Sequence, residues 1–286
     1  MTRGGAHALL QATVLLWGLT GILGRLISIA AVPLVFYRLV ITVAAMLVIV
    51  PARGLSLRVP VRAALRYGAC GAVIGLHWLC FYGAIKETGV ATAVLTLSAI
   101  PFGTALLEPL ILRRSVRGYE LVIGTIVVAG VSLLIHSELH ANPTGIALGL
   151  GSAAFAALFG VINGALVQEE PPERLLLYEM MAALVPVTAC FAVWPHLWTA
   201  PTAADWGWLV ALALACTVLP QLWALRVLRV LSPFTLAVAV TLEPVYSIAL
   251  AVVLFPETEP LGWRFLTGAA VLLGLVALNA YLKRKT

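Results

Sequence analysis

Apolar residues run through this chain in long stretches, interrupted by short clusters of Arg, Lys, Pro, Gly and acidic residues. The stretches fall at about 6–27, 33–52, 63–85, 89–111, 118–136, 144–167, 175–194, 205–228, 232–254 and 262–282. Each is close to the roughly 20 residues that a helix needs to cross a bilayer. All must be helical, because hydrocarbon offers no partner to backbone N–H and C=O groups. The pattern therefore predicts an all-α polytopic membrane protein with about ten spans. Only Lys86-Glu87-Thr88-Gly89 divides the third stretch from the fourth.

Composition agrees with this reading. The chain has 286 residues, of which 62% are hydrophobic and 10% charged. A soluble domain would be roughly 45–50% apolar and about 25% charged. No stretch is left over for an independent soluble domain. The net charge of +6 would suggest a nucleic-acid partner in a soluble protein. Here the basic residues sit at span ends, so no nucleic acid is expected and the bilayer is the partner. One side collects Arg3, Arg53, Arg58, Arg62, Arg66, Arg113, Arg114, Arg117, Arg174, Arg226, Arg229, Lys283, Arg284 and Lys285. The other holds little beyond Arg25, Lys86 and Arg264. Basic loops face the cytoplasm, which places both termini there, and an even number of spans requires the same. Trp194, Trp198, Trp206, Trp208 and Trp263 gather at outer ends, and Tyr67, Tyr119, Tyr178 and Tyr281 at inner ends, as interfacial belts. The apolar run after Thr2-Arg3 reads as a span rather than a cleaved signal.

The two halves of the chain resemble each other. Setting Pro101 against Pro244 places Thr92 opposite Thr235 and Ser98 opposite Thr241. With one insertion, Gly124 and Gly130 fall opposite Gly268 and Gly274, and Trp17-Gly18 lies opposite Phe159-Gly160. Residues 1–138 and 139–286 then form two five-helix units. Five is odd, so the second unit enters the membrane from the opposite face. Such inverted repeats are common in secondary transporters and enclose a substrate site near the midplane.

This layout, with the run Leu242-Glu243-Pro244-Val245-Tyr246 and the later Gly268-Ala269, resembles the drug/metabolite transporter superfamily and its EamA-type exporters. Within that group it looks closest to the YddG-like aromatic amino acid exporters. The resemblance implies a basket of helices around a central cavity, with the fifth and tenth spans peripheral. It also implies efflux of a small molecule across a bacterial inner membrane. A monomer would suffice for that architecture, and the oligomeric state is left open.

Depth in the membrane selects candidate residues. At about 1.5 Å per residue, the midplane of a 30 Å core lies roughly ten residues from either end of a span. Trp17, His77, Ser98 and Glu243 fall near it. An ionised carboxylate at that depth costs at least about 2.5–3.5 kcal/mol, so Glu243 should face a wet cavity, pair with a cation or carry a proton. Pro244 cannot donate a backbone N–H to the residue one turn earlier. Arg38, inside the second span, is a possible partner for Glu243 or for a substrate carboxylate, and its long stem would also let it snorkel outward. His77 with Phe81 and Trp78 with Tyr82 form i,i+4 pairs that could wall a site for amino acids or flat cations. Asn163, Trp223 and Tyr246 complete the candidate substrate contacts, and Pro101 and Pro244 are candidate hinges. Glu108 and Glu179, near inner ends, read as interface-solvated. Pairs such as Gly71/Gly75, Gly145/Gly149 and Gly160/Gly164 allow close helix packing.

Other chemistry is not indicated. Walker, GxGxxG and HExxH patterns are missing, and no Cys/His cluster has zinc spacing, so no metal or cofactor is expected. Cys70, Cys80, Cys190 and Cys216 lie in apolar runs as inert thiols. An enzyme would need clustered acid–base groups, and a channel a ring of repeated polar residues. Neither is visible. The expectation is a secondary transporter exporting amino acids, aromatic ones among them, or similar metabolites. A drug or quaternary-cation exporter is the alternative.

Overall fold

A computed structural model describes residues 1–136, 142–254 and 263–283. Among these residues the chain is helical, without strands. The helices are α1 (Arg3–Leu26), α2 (Ala31–Ala52), α3 (Val61–Thr88), α4 (Val90–Thr96), α5 (Ile100–Leu112), α6 (Gly118–His136) and α7 (Pro143–Glu169). They continue as α8 (Pro172–Val193), α9 (Ala203–Ala213), α10 (Leu219–Leu228), α11 (Pro233–Val240), α12 (Glu243–Leu254) and α13 (Trp263–Leu282). Among the described residues, seven segments are long and apolar enough to cross a membrane, and Gly118–Ala129 and Ala270–Leu282 are shorter apolar helices. The chain is thus a polytopic, integral membrane protein. The junction at 138/139 and the basic residues Arg284 and Lys285 lie outside the described residues.

Three stretches that read as single spans are interrupted. A 3-10 turn at Leu97–Ala99 separates α4 from α5, a π turn at Leu214–Val218 separates α9 from α10, and a turn at 241–242 separates α11 from α12. In each case the next helix has proline as its second residue: Pro101, Pro220 and Pro244. Proline offers no N–H to the preceding turn. A threonine hydroxyl bonds back to the main chain at each break. Thr96 donates to the Ala93 carbonyl at 2.6 Å, Thr217 to Leu212 at 2.7 Å and Thr241 to Val238 at 2.6 Å.

Small residues set the packing around α3. A Cβ on Gly71 would fall onto the Glu179 main chain of α8, and one on Gly75 would sit 2.5 Å from the Ala183 carbonyl. The two backbones touch because neither glycine carries a side chain. Gly145 and Gly149 of α7 instead make room for the side chains of Thr88 and Thr96. On the other flank Ser247 of α12 donates to the Gly18 carbonyl of α1 at 2.7 Å.

The two ends of the bundle differ. One end carries ion pairs: Arg66 with Glu169 at 2.8 Å, Arg226 with Glu173 at 2.6 Å, and Lys283 with Glu120 at 3.2 Å. Glu108 there is buried rather than solvated, contrary to the sequence reading. It accepts from Arg114 at 2.9 Å and from the Phe234 N–H at 2.8 Å, which replaces water. Burial works against the Arg114 charge, but its bonds to Glu108 and Glu120 outweigh that and raise its pKa. At the opposite end Phe36, Tyr37, Phe191, Trp198 and Trp206 form an aromatic cluster, edge-to-face except for the tilted Tyr37–Trp198 pair. Asp205 there accepts from the Ser28 N–H at 2.7 Å and its hydroxyl at 2.8 Å, tying α9 to the α1–α2 connection.

Candidate functional site

A cavity opens where α1, α2, α3, α7, α10 and α11 meet the breaks at Leu97–Ala99 and 241–242. About 80 Å³ is open to the centres of water-sized groups. One water needs roughly 10–15 Å³ by that measure, so the space holds several. Its walls are mostly aromatic and aliphatic: Trp17, Trp78, Phe81, Phe159, Leu97, Ile100, Ala156, Leu236 and Val240. Polar groups enter at Thr20, Arg38, His77, Gln221 and Glu243.

Arg38 is the most constrained of these. Only 2% of the residue is exposed, so the guanidinium does not snorkel away. Its Nε donates to Thr217 Oγ1 at 2.7 Å and its Nη1 to the Tyr82 hydroxyl at 2.8 Å. The guanidinium carbon lies 3.9 Å from the centre of the Trp78 ring, a cation–π contact. Thr217 can accept because its own proton goes to the Leu212 carbonyl five residues back, a spacing that the π turn creates. The break ahead of Pro220 therefore orients Arg38. A guanidinium has five N–H donors, so others remain for a ligand in the cavity.

Glu243 reaches the same cavity from the break ahead of Pro244. The turn at 241–242 makes it the first residue of α12, where the unpaired N–H groups of a helix start favour a carboxylate. It is 5% exposed and interacts electrostatically with Arg38, but forms no ion pair with it among the described residues. His77 is fixed by Ser152, whose carbonyl and hydroxyl lie 2.9 and 2.8 Å from its Nδ1. Its ring stacks on Phe81 and meets Phe159 edge-on, with centroids 6.2 and 5.3 Å apart.

Of the residues that the sequence singled out, Trp17, Arg38, His77, Trp78 and Glu243 line this one cavity. Tyr82 stands behind them, fully buried, with its hydroxyl on Arg38. The other candidates lie outside the lining. Ser98 is buried in the α4–α5 break, with no partner for its hydroxyl among the described residues. Asn163 bonds to Cys70 and Glu179, Tyr246 donates to Gln11 at 2.8 Å, and Trp223 is half-buried elsewhere on α10. Pro101 and Pro244 follow the two breaks.

Thr20, Phe159, Gly160 and Gln221 are lining residues that the sequence did not single out as substrate contacts, whereas Phe81 was expected beside His77. For Phe159 and Gly160 a signal existed, since they align with Trp17-Gly18. The register that sets Pro101 against Pro244 likewise sets Leu97 against Val240 and Ile100 against Glu243, and all four line the cavity. Among the described residues no cluster of His, Cys, Asp or Glu could hold a metal ion.

Known proteins resemble the chain at several levels. The EamA-like transporter family matches it twice, over residues 5–136 and 143–281. The Uncharacterized transporter YwfM of Bacillus subtilis (strain 168) is 27% identical over 187 residues, or 64% of this chain and 61% of that protein. The match thus spans less than two thirds of that relative's length. A protein of known crystal structure shares 19% identity, with a TM-score of 0.78 over 100% of both chains, which shows a common fold.

Proposed function

Because the chain belongs to the EamA-like transporter family, we propose that it is a secondary transporter exporting zwitterionic amino acids, aromatic ones in particular. The observation that carries this reading is one cavity holding both Arg38 and Glu243 within walls of Trp17, Trp78, Phe81 and Phe159. An amino acid presents a carboxylate to Arg38, an ammonium group to Glu243 and a flat side chain to the rings. A quaternary cation would use the rings and Glu243, but the buried Arg38 charge would oppose it.

The transport cycle is read as alternating access between two five-helix inverted repeats, 1–138 and 139–286, making ten spans in a bacterial inner membrane with cytoplasmic termini. Supporting this are the two consecutive family matches and the helix breaks at Leu97–Ala99 and 241–242, which fall in one repeat register. The halves rock about the cavity, with Pro101 and Pro244 as hinges. Inward-facing and outward-facing states then expose the same charges in turn.

Liposomes containing the purified protein and loaded with tritiated phenylalanine test this reading. Flux should fall about ten-fold or more in Glu243→Gln, the loss that accompanies about 1.4 kcal/mol of lost binding, and should also fall in His77→Ala. Unchanged flux in both variants would remove the cavity from the mechanism.

A further inference from the structure

A buried carboxyl outside the cavity lining lies on α8. Glu179 of α8 is 1% exposed. Asn163 from α7 and Cys70 from α3 bond to it, and the Cys70 thiol also lies 3.5 Å from Asn163 Oδ1. Its Oε1 has no partner among the described residues. Asn163 follows Phe159 and Gly160 by one turn of α7, and the Cys70 sulfur lies 3.9 Å from the Phe159 carbonyl. The carboxyl is therefore joined to the cavity wall through two helices.

Among the described residues no cation balances it. Helices α2, α3, α7 and α10 all pack on α8. The basic residue of α2, Arg38, is held by Tyr82 and Thr217. On α3, Arg66 pairs with Glu169, Tyr67 donates to Glu170 at 2.7 Å, and His77 is held by Ser152. On α10, Arg226 pairs with Glu173, two turns from Glu179 toward the start of α8. In the 3-10 turn after α8, His196 sits at the opposite end of the bundle. The charged groups nearby are thus engaged elsewhere, and a bare carboxylate here would face only a thiol and an amide.

We propose that Glu179, set between Cys70 and Asn163 with one oxygen unpartnered, is a proton-binding site that couples substrate export to proton entry. This rests on the transporter reading above. A buried acid without a counter-ion is favoured when it carries a proton. Movement of α7 against α8 as the cavity empties would admit water and let the proton leave. One proton binds a carboxylate oxygen from the outer side and is released inside as one amino acid moves out, so charge and atoms balance.

Proteoliposomes with an imposed pH gradient test the proposal. For one proton per substrate, each pH unit should change the accumulation ratio of phenylalanine about ten-fold. In Glu179→Gln this gradient dependence should vanish, while downhill equilibration continues. Gradient-driven accumulation surviving in Glu179→Gln would overturn the proposal alone. Absence of any amino acid flux in the unaltered protein would overturn the transporter reading with it. A second measurement does not depend on a variant folding. Dicyclohexylcarbodiimide, which modifies buried carboxylic acids, should label Glu179 in the native protein and abolish gradient dependence. Labelling confined to Glu243 or Glu108 would refute the assignment.

Discussion

Replacing Gly160 separates the cavity's role in transport from its role in stability. The residue lies inside α7 and lines the cavity, and a Cβ built on it meets nothing within 4 Å. Gly160→Ala should therefore fold without strain. It should gain about 0.8–1 kcal/mol, because alanine loses less backbone freedom than glycine in a helix interior. The same methyl group intrudes on the substrate. One misplaced carbon in an apolar pocket shifts binding by about 1–3 kcal/mol, or roughly 10–200-fold. Stability and transport should thus move in opposite directions. Gly160→Leu adds three more carbons to a space of about 80 Å³ and should remove flux altogether. Thermal unfolding followed by tryptophan fluorescence reads the first effect, and phenylalanine flux in liposomes the second. Wild-type flux in Gly160→Leu would refute the placement of substrate here. A large loss of stability in Gly160→Ala would refute the open geometry.

Gly71→Ala makes the contrasting case, because its new Cβ would collide with the Glu179 main chain. Overpacking against backbone costs about 1–3 kcal/mol, and the midpoint of thermal unfolding should drop accordingly; an unchanged midpoint would contradict the α3–α8 contact. Thr217→Val keeps the branched side-chain shape but removes both the acceptor of Arg38 Nε and the bond to the Leu212 carbonyl in the π turn. A lost hydrogen bond to a charged group is worth about 1.5–3 kcal/mol, so phenylalanine affinity should weaken while Thr217→Ser retains it, as isothermal titration would show.

Height along the helix bundle is legible in the sequence for some residues; direction around each helix is only partly so. Counting residues puts Trp17, His77, Ser98 and Glu243 at similar heights, yet Ser98 turns into packing while the other three turn inward. Trp78 and Tyr82 share a helix face, but the first lines the cavity and the second braces Arg38 from behind. An uninterrupted apolar run over 205–228 implies one regular helix. The π turn at Leu214–Val218 inserts an extra residue, which rotates α10 by about 100° relative to α9. Gln221 faces the cavity and Trp223 does not. The breaks themselves are announced by proline, but the 3-10 and π turns that absorb them depend on threonine bonds that no periodicity reveals. Glu108 and Glu179 are buried where solvation was expected, because proximity to a span end does not tell whether protein or water surrounds a side chain. The likeness between the two halves of the sequence holds further information, since aligning Trp17 with Phe159 and Glu243 with Ile100 names additional cavity residues.

Equilibrium binding of three compounds to the purified protein probes most directly whether Arg38 and Glu243 read opposite ends of one ligand. Phenylalanine carries both charges, phenethylamine lacks the carboxylate, and 3-phenylpropanoate lacks the ammonium group. Phenylalanine should bind tightest, with each truncated compound weaker by about ten-fold or more, the loss expected when a charged hydrogen bond of about 1.5–3 kcal/mol is forfeited. Equal or tighter binding of phenethylamine would show that Arg38 recognises no carboxylate and would contradict the account.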